Sequence, residues 1–281
     1  MAPEVSVCIP AYRASEILPA TLRSVIAQDH PSFEVVVIDN ASGDGTDRAA
    51  RRFTSDPRVR FYAFSEYMGL ADNWRRAMDL CRGDFVKLVC ADDLIHPTAL
   101  RKQAAVLRED PSVSLVASRR HLIDGEGYVL ARSSGLHQLV GRHTANDVAR
   151  QIVNFGINPI GEPGSVMFRR SDYEAVGGWN PQRVFNMDID LFLRILSRGD
   201  LFGLKESLAA FRVWTQSLSS HHDEEQFQEN LRFIERVRDE YHVPVPDRRI
   251  AVLTGLSWKA WDVRRRVWAQ VPRLWSRPLV A

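Results

Sequence analysis

Apolar and polar positions follow two rhythms along the first 118 residues. Short β-branched runs fall at Val5–Ile9, Phe33–Ile38, Val59–Tyr62, Phe85–Val89 and Val113–Ala117. Between them lie stretches whose apolar residues recur three or four apart: Ile17–Gln28, Asp47–Thr54, Asn73–Cys81 and Thr98–Asp110. The first set fits strands and the second fits amphipathic helices. Their alternation predicts an α/β fold: a mostly parallel twisted sheet with helices on both faces. Such a sheet binds ligands beyond the carboxyl ends of its strands, so chemistry is expected just after those runs.

The rhythm breaks after Ser118. Asp124–Gly127 reads as a turn and Ser133–Gly141 as loop. The pattern then predicts a helix over Thr144–Phe155, an irregular Pro/Gly-rich stretch over 158–164, and a strand at Ser165–Phe168. A helix follows at Met187–Arg198, with Gly199 as its C′ residue, and a strand at Leu208–Trp214. Two more helical patterns, Glu224–Tyr241 and Arg248–Gln270, flank the linker Val243–Asp247. There is no internal repeat.

Composition is that of a soluble globular chain, 45% hydrophobic and 26% charged, and its net charge of +2 argues against a nucleic-acid binder. The placement of charge matters more. From Arg248 onward there are eight basic residues against Asp262 alone, which leaves the rest of the chain at −5. Trp258, Trp261, Trp268 and Trp275 fall in the same stretch. A basic, Trp-rich helix predicts peripheral contact with an anionic membrane surface. The plainer alternative is a helix packed back on the body with its arginines solvated. Pro272 is expected to end it. No apolar run approaches the ~20 residues of a membrane span. The three cysteines, Cys8, Cys81 and Cys90, are odd in number, and two sit in apolar runs. They read as free thiols in a reducing compartment. With no leader-like start, the cytoplasm or the inner face of its membrane is the expected location.

The clearest chemistry follows the strand Phe85–Val89, where Ala91-Asp92-Asp93 brings two carboxylates together. Such a pair at a strand end is costly unless a cation joins it. Hard ions such as Mg²⁺ or Mn²⁺ take carboxylate and phosphate oxygens. A helix N-cap for the segment near Pro97 would use the same residues. Asp39 also ends a strand and could accept the imide N–H of a pyrimidine, or form an Asx-turn as Asp44 could. Asp188 and Asp190 open the helix Met187–Arg198. The macrodipole accounts for one acid there, and a partly buried second could act as a general base. His221–Glu225 has no standard metal spacing and reads as a helix start. No phosphate-cradling Gly loop and no G-x-S-x-G elbow appears, which argues against kinases, dehydrogenases and α/β-hydrolases.

In order, Val5–Arg13, Phe33–Thr46, Met68–Trp74, Asp84–Asp93 with Pro97, Gly177–Trp179 and Asp188–Arg194 resemble glycosyltransferase family two, the inverting enzymes of GT-A fold. The resemblance covers residues 4 to 220. It implies a catalytic domain over 1–220, with a nucleotide-sugar half at 1–118 and an acceptor half at 119–220. A basic helical extension, 221–281, follows.

The resemblance assigns Pro10, Tyr12, Asp39, Asn73, Ala91 and Asp92 to the nucleotide, with Asp39 on the base. It gives Asp92 and Asp93 to a divalent metal, Mn²⁺ or Mg²⁺. It makes Asp188 the catalytic base with Asp190 supporting it, and puts Glu162 and Trp179 near the acceptor. The implied donor is a UDP- or dTDP-linked sugar. The acceptor is a saccharide or lipid-linked hydroxyl in cell-envelope glycan assembly.

Three positions depart from the family's pattern. Cys90 stands where a ribose-binding acid is usual, Met187 where an acid precedes the base, and Trp214 where a late histidine is usual. These departures leave a second reading, a degenerate fold that holds a nucleotide or a partner without turnover. Joint retention of Asp39, Asp92, Asp93 and Asp188 favours the enzyme. A nucleotidyltransferase is a third, weaker reading, since it would normally show a Gly-rich basic loop after the first strand and Pro10–Ser15 is not one.

Overall fold

The structure, a computed structural model, describes residues 2–182, 185–214 and 224–270. Four parallel strands form its first half: β1 (Val5–Ala11), β2 (Phe33–Asn40), β3 (Val59–Phe64) and β4 (Phe85–Leu88). Helices α1 (Leu18–Ile26), α2 (Thr46–Arg51) and α3 (Leu70–Asp79) connect them as the sequence pattern predicts. Every residue of β1 and β2 is buried, as expected of strands covered on both faces. Alternate side chains serve opposite cores. Val5, Val7, Ile9 and Ala11 pack on α1 and on α4 (Ala99–Glu109), while Cys8, Val36 and Ile38 pack under α3.

The second half is mixed. The short β5 (Leu94–Ile95) precedes α4, and β6 (Val113–Ile123) follows it. Then come β7 (Val129–Ser134), β8 (Gly141–His143), α5 (Ala145–Phe155) and β9 (Val166–Arg169). Next are α6 (Arg170–Ala175), α7 (Met187–Ile195), β10 (Asp200–Arg212), α8 (Glu224–Glu240) and α9 (Asp247–Gln270). The sheet runs β3-β2-β1-β4-β9-β6-β10-β5, with β7 on β6 and β8 on β10. β9 is antiparallel to both neighbours, so it joins the parallel half to the acceptor half.

Several sequence expectations need correction here. The segment from Ser118 to Ile123 continues β6, and β7 reaches Ser134, inside the stretch expected as loop. β10 begins at Asp200 rather than Leu208; bulges between Leu204 and Ser207 and between Ser207 and Ala209 break its period of two. Gly199 is not a left-handed C′ residue, because α7 ends at Ile195 with Leu196 in right-handed conformation. Its missing Cβ instead admits the Ser112 carbonyl, which a side-chain carbon would meet at 2.5 Å.

α8 and α9 pack back on the body. Phe233, Ile234, Val237 and Ile250 join the same core as α3, α5 and α7. Gly156, left-handed at the end of α5 (φ +65°), lets α9 approach so closely that a Cβ would lie 2.7 Å from the Thr254 Cα. The Ser257 hydroxyl donates to the Phe155 carbonyl at 2.5 Å. Among the described residues no helix is long and apolar enough to cross a membrane.

Candidate active site

The parallel strands end together. Ala11 is level with Asp39, and Cys8 with Leu88. Beyond these ends opens a cleft of about 1310 Å³. Pro10, Tyr12, Ala91, Asp92, Glu162 and Asp188 line it, so residues up to 178 positions apart in sequence meet at one surface.

The Asp92-Asp93 turn is not a helix cap. α4 starts at Ala99 behind Thr98, well past both acids. The turn is held from three sides. Thr21 donates its hydroxyl to the Ala91 carbonyl (2.8 Å), and the Arg212 guanidinium donates to the Asp92 carbonyl (2.8 Å). The Arg212 backbone N–H donates to Asp93 Oδ1 (3.0 Å). The Trp214 indole Nε1 donates to Asp92 Oδ2 (3.0 Å), which gives the residue at the histidine position a role. Burial pushes the Asp92 carboxyl above its ordinary range despite that bond. Asp93, 1% exposed, is pushed up further by burial and then by the Asp92 charge.

One ligand atom each from Cys90, Asp92 and Asp93 lie within 4.8 Å of one another. Burial, and then the charges of Asp93 and Asp92, hold the Cys90 thiol protonated, so it is a poor partner for a hard cation. Two strained carboxylates do fit a hard divalent ion. Asp92 faces the cleft and Asp93 stands behind it, next to Gly164.

Asp188 sits at the start of α7. Its Oδ1 accepts the Ile189 N–H (2.7 Å) and its Oδ2 accepts the Asn158 amide (3.2 Å). Burial, together with the Glu162 charge, outweighs these bonds and raises its carboxyl to about 7. That is where a general base works best. Asn158 also accepts from the N–H groups of Ile160 and Gly161, so one side chain folds the Pro/Gly loop and holds the acid. Its place in a Pro/Gly-rich stretch gave no sign of this. Glu162, on that loop, pairs with Arg120 of β6.

At the other end, Tyr12 is 42% exposed and leans on Tyr67, ring centroids 5.0 Å apart. Arg13 lies over Tyr12 and takes a left-handed backbone (φ +48°), with its N–H on the Ser42 hydroxyl. Asp39 is buried beside them and accepts from the Ser42 N–H (3.3 Å) and hydroxyl. Among the described residues it is set back from the cleft wall.

Three expected site residues lie elsewhere. Asn73 is buried, accepts from Arg76 (2.9 Å) and does not line the cleft. Trp179 is fully buried, edge-on to Trp74 at 4.9 Å, and cannot touch an acceptor. Gly178 (φ +69°) admits the Tyr173 hydroxyl beside it, so Gly177-Gly178-Trp179 is a packing motif. Asp190 turns away from Asp188. It accepts from Arg194 (2.9 Å) and from Arg236 of α8 (2.8 Å), a clamp between helices. His221 and His222 lie outside the described residues.

A parallel nucleotide-type half-sheet ending in an acidic turn, with a second acid facing it from the mixed half, defines a GT-A glycosyltransferase fold. The chain belongs to Glycosyl transferase family 2, whose sequence pattern matches residues 6–177. TuaG of Bacillus subtilis, assigned as a glycosyltransferase of teichuronic acid biosynthesis, is 26% identical over 223 residues, 78% of this chain and 82% of TuaG. TarS of S. aureus, residues 1–349 in complex with UDP-GlcNAc, superposes with a TM-score of 0.67 at 17% identity, covering 90% of this chain and 71% of that one. Against a longer TarS chain the share falls to 42%. The mannosyltransferase PcManGT of Pyrobaculum calidifontis, in complex with GDP-Man and Mn²⁺, gives 0.61 at 18% identity, covering 96% and 79%.

Proposed function

We propose that this glycosyltransferase moves a sugar with inversion from a UDP- or dTDP-linked donor to an acceptor hydroxyl, in cell-envelope polysaccharide or glycolipid assembly. The observation that carries the reading is the cleft shared by Asp92 and Asp188, with Asp188 raised to about 7. Tyr12 and Pro10 receive the base, with Asp39 behind them for its N–H. Asp92, backed by Asp93, would hold a divalent cation, Mn²⁺ or Mg²⁺, which offsets charge on a departing diphosphate. Asp188 takes the proton of the acceptor hydroxyl as that oxygen attacks the anomeric carbon. Asn158 keeps the acid aimed, and Glu162 on the same loop faces the acceptor. One displacement needs no covalent sugar–enzyme intermediate, and inversion follows.

Membrane contact belongs to the same reading, through residues other than those expected. Trp258 and Trp261 turn inward to the cleft. The outer face of α9 instead exposes Val252, Leu256, Val263 and Val267, at helical spacings of four, seven and four. Lys259 and Arg266 share that face by spacing. An aliphatic stripe with basic neighbours suits the surface of an anionic bilayer, where a lipid-linked acceptor waits.

The test is a thermal-shift panel of UDP, dTDP, GDP and CMP with and without Mn²⁺. A ligand at ~100 times its Kd stabilises the native state by roughly 2.7 kcal/mol. A metal-enhanced shift for one pyrimidine diphosphate is expected, and NMR of the product anomer then tests inversion. No shift with any nucleotide would point to a non-catalytic scaffold.

A further inference from the structure

The cleft that holds Asp92 and Asp188 is also lined by residues to which the proposed transfer gives no role. Its wall there comes from three separate elements: Arg120 of β6, His137 of the loop after β7, and Trp258, Trp261 and Arg264 of α9. This wall is built and not incidental. α9 is seated by the Gly156–Thr254 approach and by Ser257 on the Phe155 carbonyl. Trp258 packs edge-on against Phe227 at 5.7 Å. His137 is stacked on Phe155, centroids 5.7 Å apart and planes 7° apart.

The charges converge. Arg120 is largely buried, and Glu162 offsets part of its charge. Burial, and then the charges of Arg120 and Arg264, lower the proton affinity of His137. Glu162 already meets Arg120, so the charge this wall offers a ligand anion is chiefly that of Arg264, with the His137 ring beside it as a hydrogen-bond donor. Tryptophan faces beside them suit the apolar faces of sugar rings. The donor diphosphate is expected at Asp92, which lies on the turn after β4 and not on α9.

We propose that the acceptor is a saccharide bearing an anionic group, phosphate or carboxylate, and that Arg120, His137 and Arg264 receive that group beside Trp258 and Trp261. This rests on the transferase reading and names its acceptor class. Uronates, phosphorylated glycans and lipid-linked sugar phosphates all present this chemistry. Arg264 is the specificity-determining residue with least structural burden, since it is exposed.

The experiment uses the full chain saturated with UDP and Mn²⁺ on an array of bacterial glycans containing neutral, uronate-bearing and phosphate-bearing members. The expected result is retention of anionic glycans at least tenfold above neutral counterparts, weakened by salt. The uronate and phosphate arms show which source dominates. Arg264→Gln should remove the preference and Arg264→Lys should keep most of it, with the UDP thermal shift unchanged in both. Retention of neutral glycans, no retention at all, or wild-type preference in Arg264→Gln would overturn the proposal. Failure of wild type to shift with any nucleotide would instead overturn the transferase reading beneath it. A loss of UDP binding in Arg264→Gln would assign the cation to the donor and also refute the proposal.

Discussion

Trp214 donates its indole N–H to Asp92 Oδ2 at 3.0 Å, so a residue that departs from the family's pattern holds an acid that lines the cleft. A hydrogen bond to a carboxylate contributes about 1.5–3 kcal/mol. Trp214→Phe keeps the ring and removes the donor. Its expected effects are a carboxyl at Asp92 that is harder to ionise and a Mn²⁺-dependent UDP affinity about tenfold weaker. Trp214→His should recover part of the loss. Isothermal titration of UDP with Mn²⁺ reads both; unchanged affinity in Trp214→Phe would remove Trp214 from the site.

Asp188 carries two opposed expectations. As a base it must be deprotonated, so kcat/KM should rise with pH through an apparent pKa near 7 and level off above it. Asp188→Asn should lower turnover at least ~10²-fold and leave donor affinity within about twofold. Stability moves the other way. The folded protein holds this proton more tightly than the unfolded chain, so stability is lost as pH rises from the ordinary carboxylate range to about 7. Asp188→Asn removes that cost, on the order of 2 kcal/mol at pH 8 after allowing for partial exposure. Melting scans at pH 8 and pH 4.5 should show a gain of several degrees at the first and much less at the second. An equal gain at both would mean the acid is not strained.

Asp190 should behave unlike its neighbour. It is 2% exposed and bridges Arg194 and Arg236. Removing one partner of a fully buried ion pair costs about 3–5 kcal/mol, and the exposure of Arg194 (30%) and Arg236 (37%) brings the cost here below that range. Asp190→Asn is expected to lower the melting temperature markedly, while the folded fraction keeps its pH–rate profile. A collapse of turnover at full stability would return Asp190 to the catalytic group.

The parallel half was legible because β1, β2 and β4 are buried throughout and read as mostly apolar runs. Asp92 and Asp188 were legible because each interrupts such a run at an element's end. Trp179 was misread because a large aromatic after two glycines looks the same whether it faces a ligand or the core. Only the contact with Trp74 separates the two cases. Asn158, Arg120 and Arg212 carried no local sign at all. Their roles arise from partners 30 to 120 positions away. β10 was half seen because its bulges break the alternation that marks a strand.

The outer face of α9 gives the last prediction. Val252, Leu256, Val263 and Val267 are each about half exposed, between 49% and 60%, on one stripe of the helix. Burying aliphatic side chains contributes about 1.5–3 kcal/mol each at full burial, and partial insertion into an interface a fraction of that. Basic residues near an anionic surface add about 1 kcal/mol apiece. Wild type should therefore sediment with vesicles containing phosphatidylglycerol, less so at high salt, and poorly with neutral phosphatidylcholine vesicles. Replacing all four aliphatics with Ser should abolish sedimentation without changing the UDP thermal shift, because none of the four lines the cleft. Trp261→Ala should leave sedimentation intact, since that ring faces inward. If the Trp261 variant lost vesicle binding and the quadruple Ser variant kept it, α9 would have to meet the membrane with its other face.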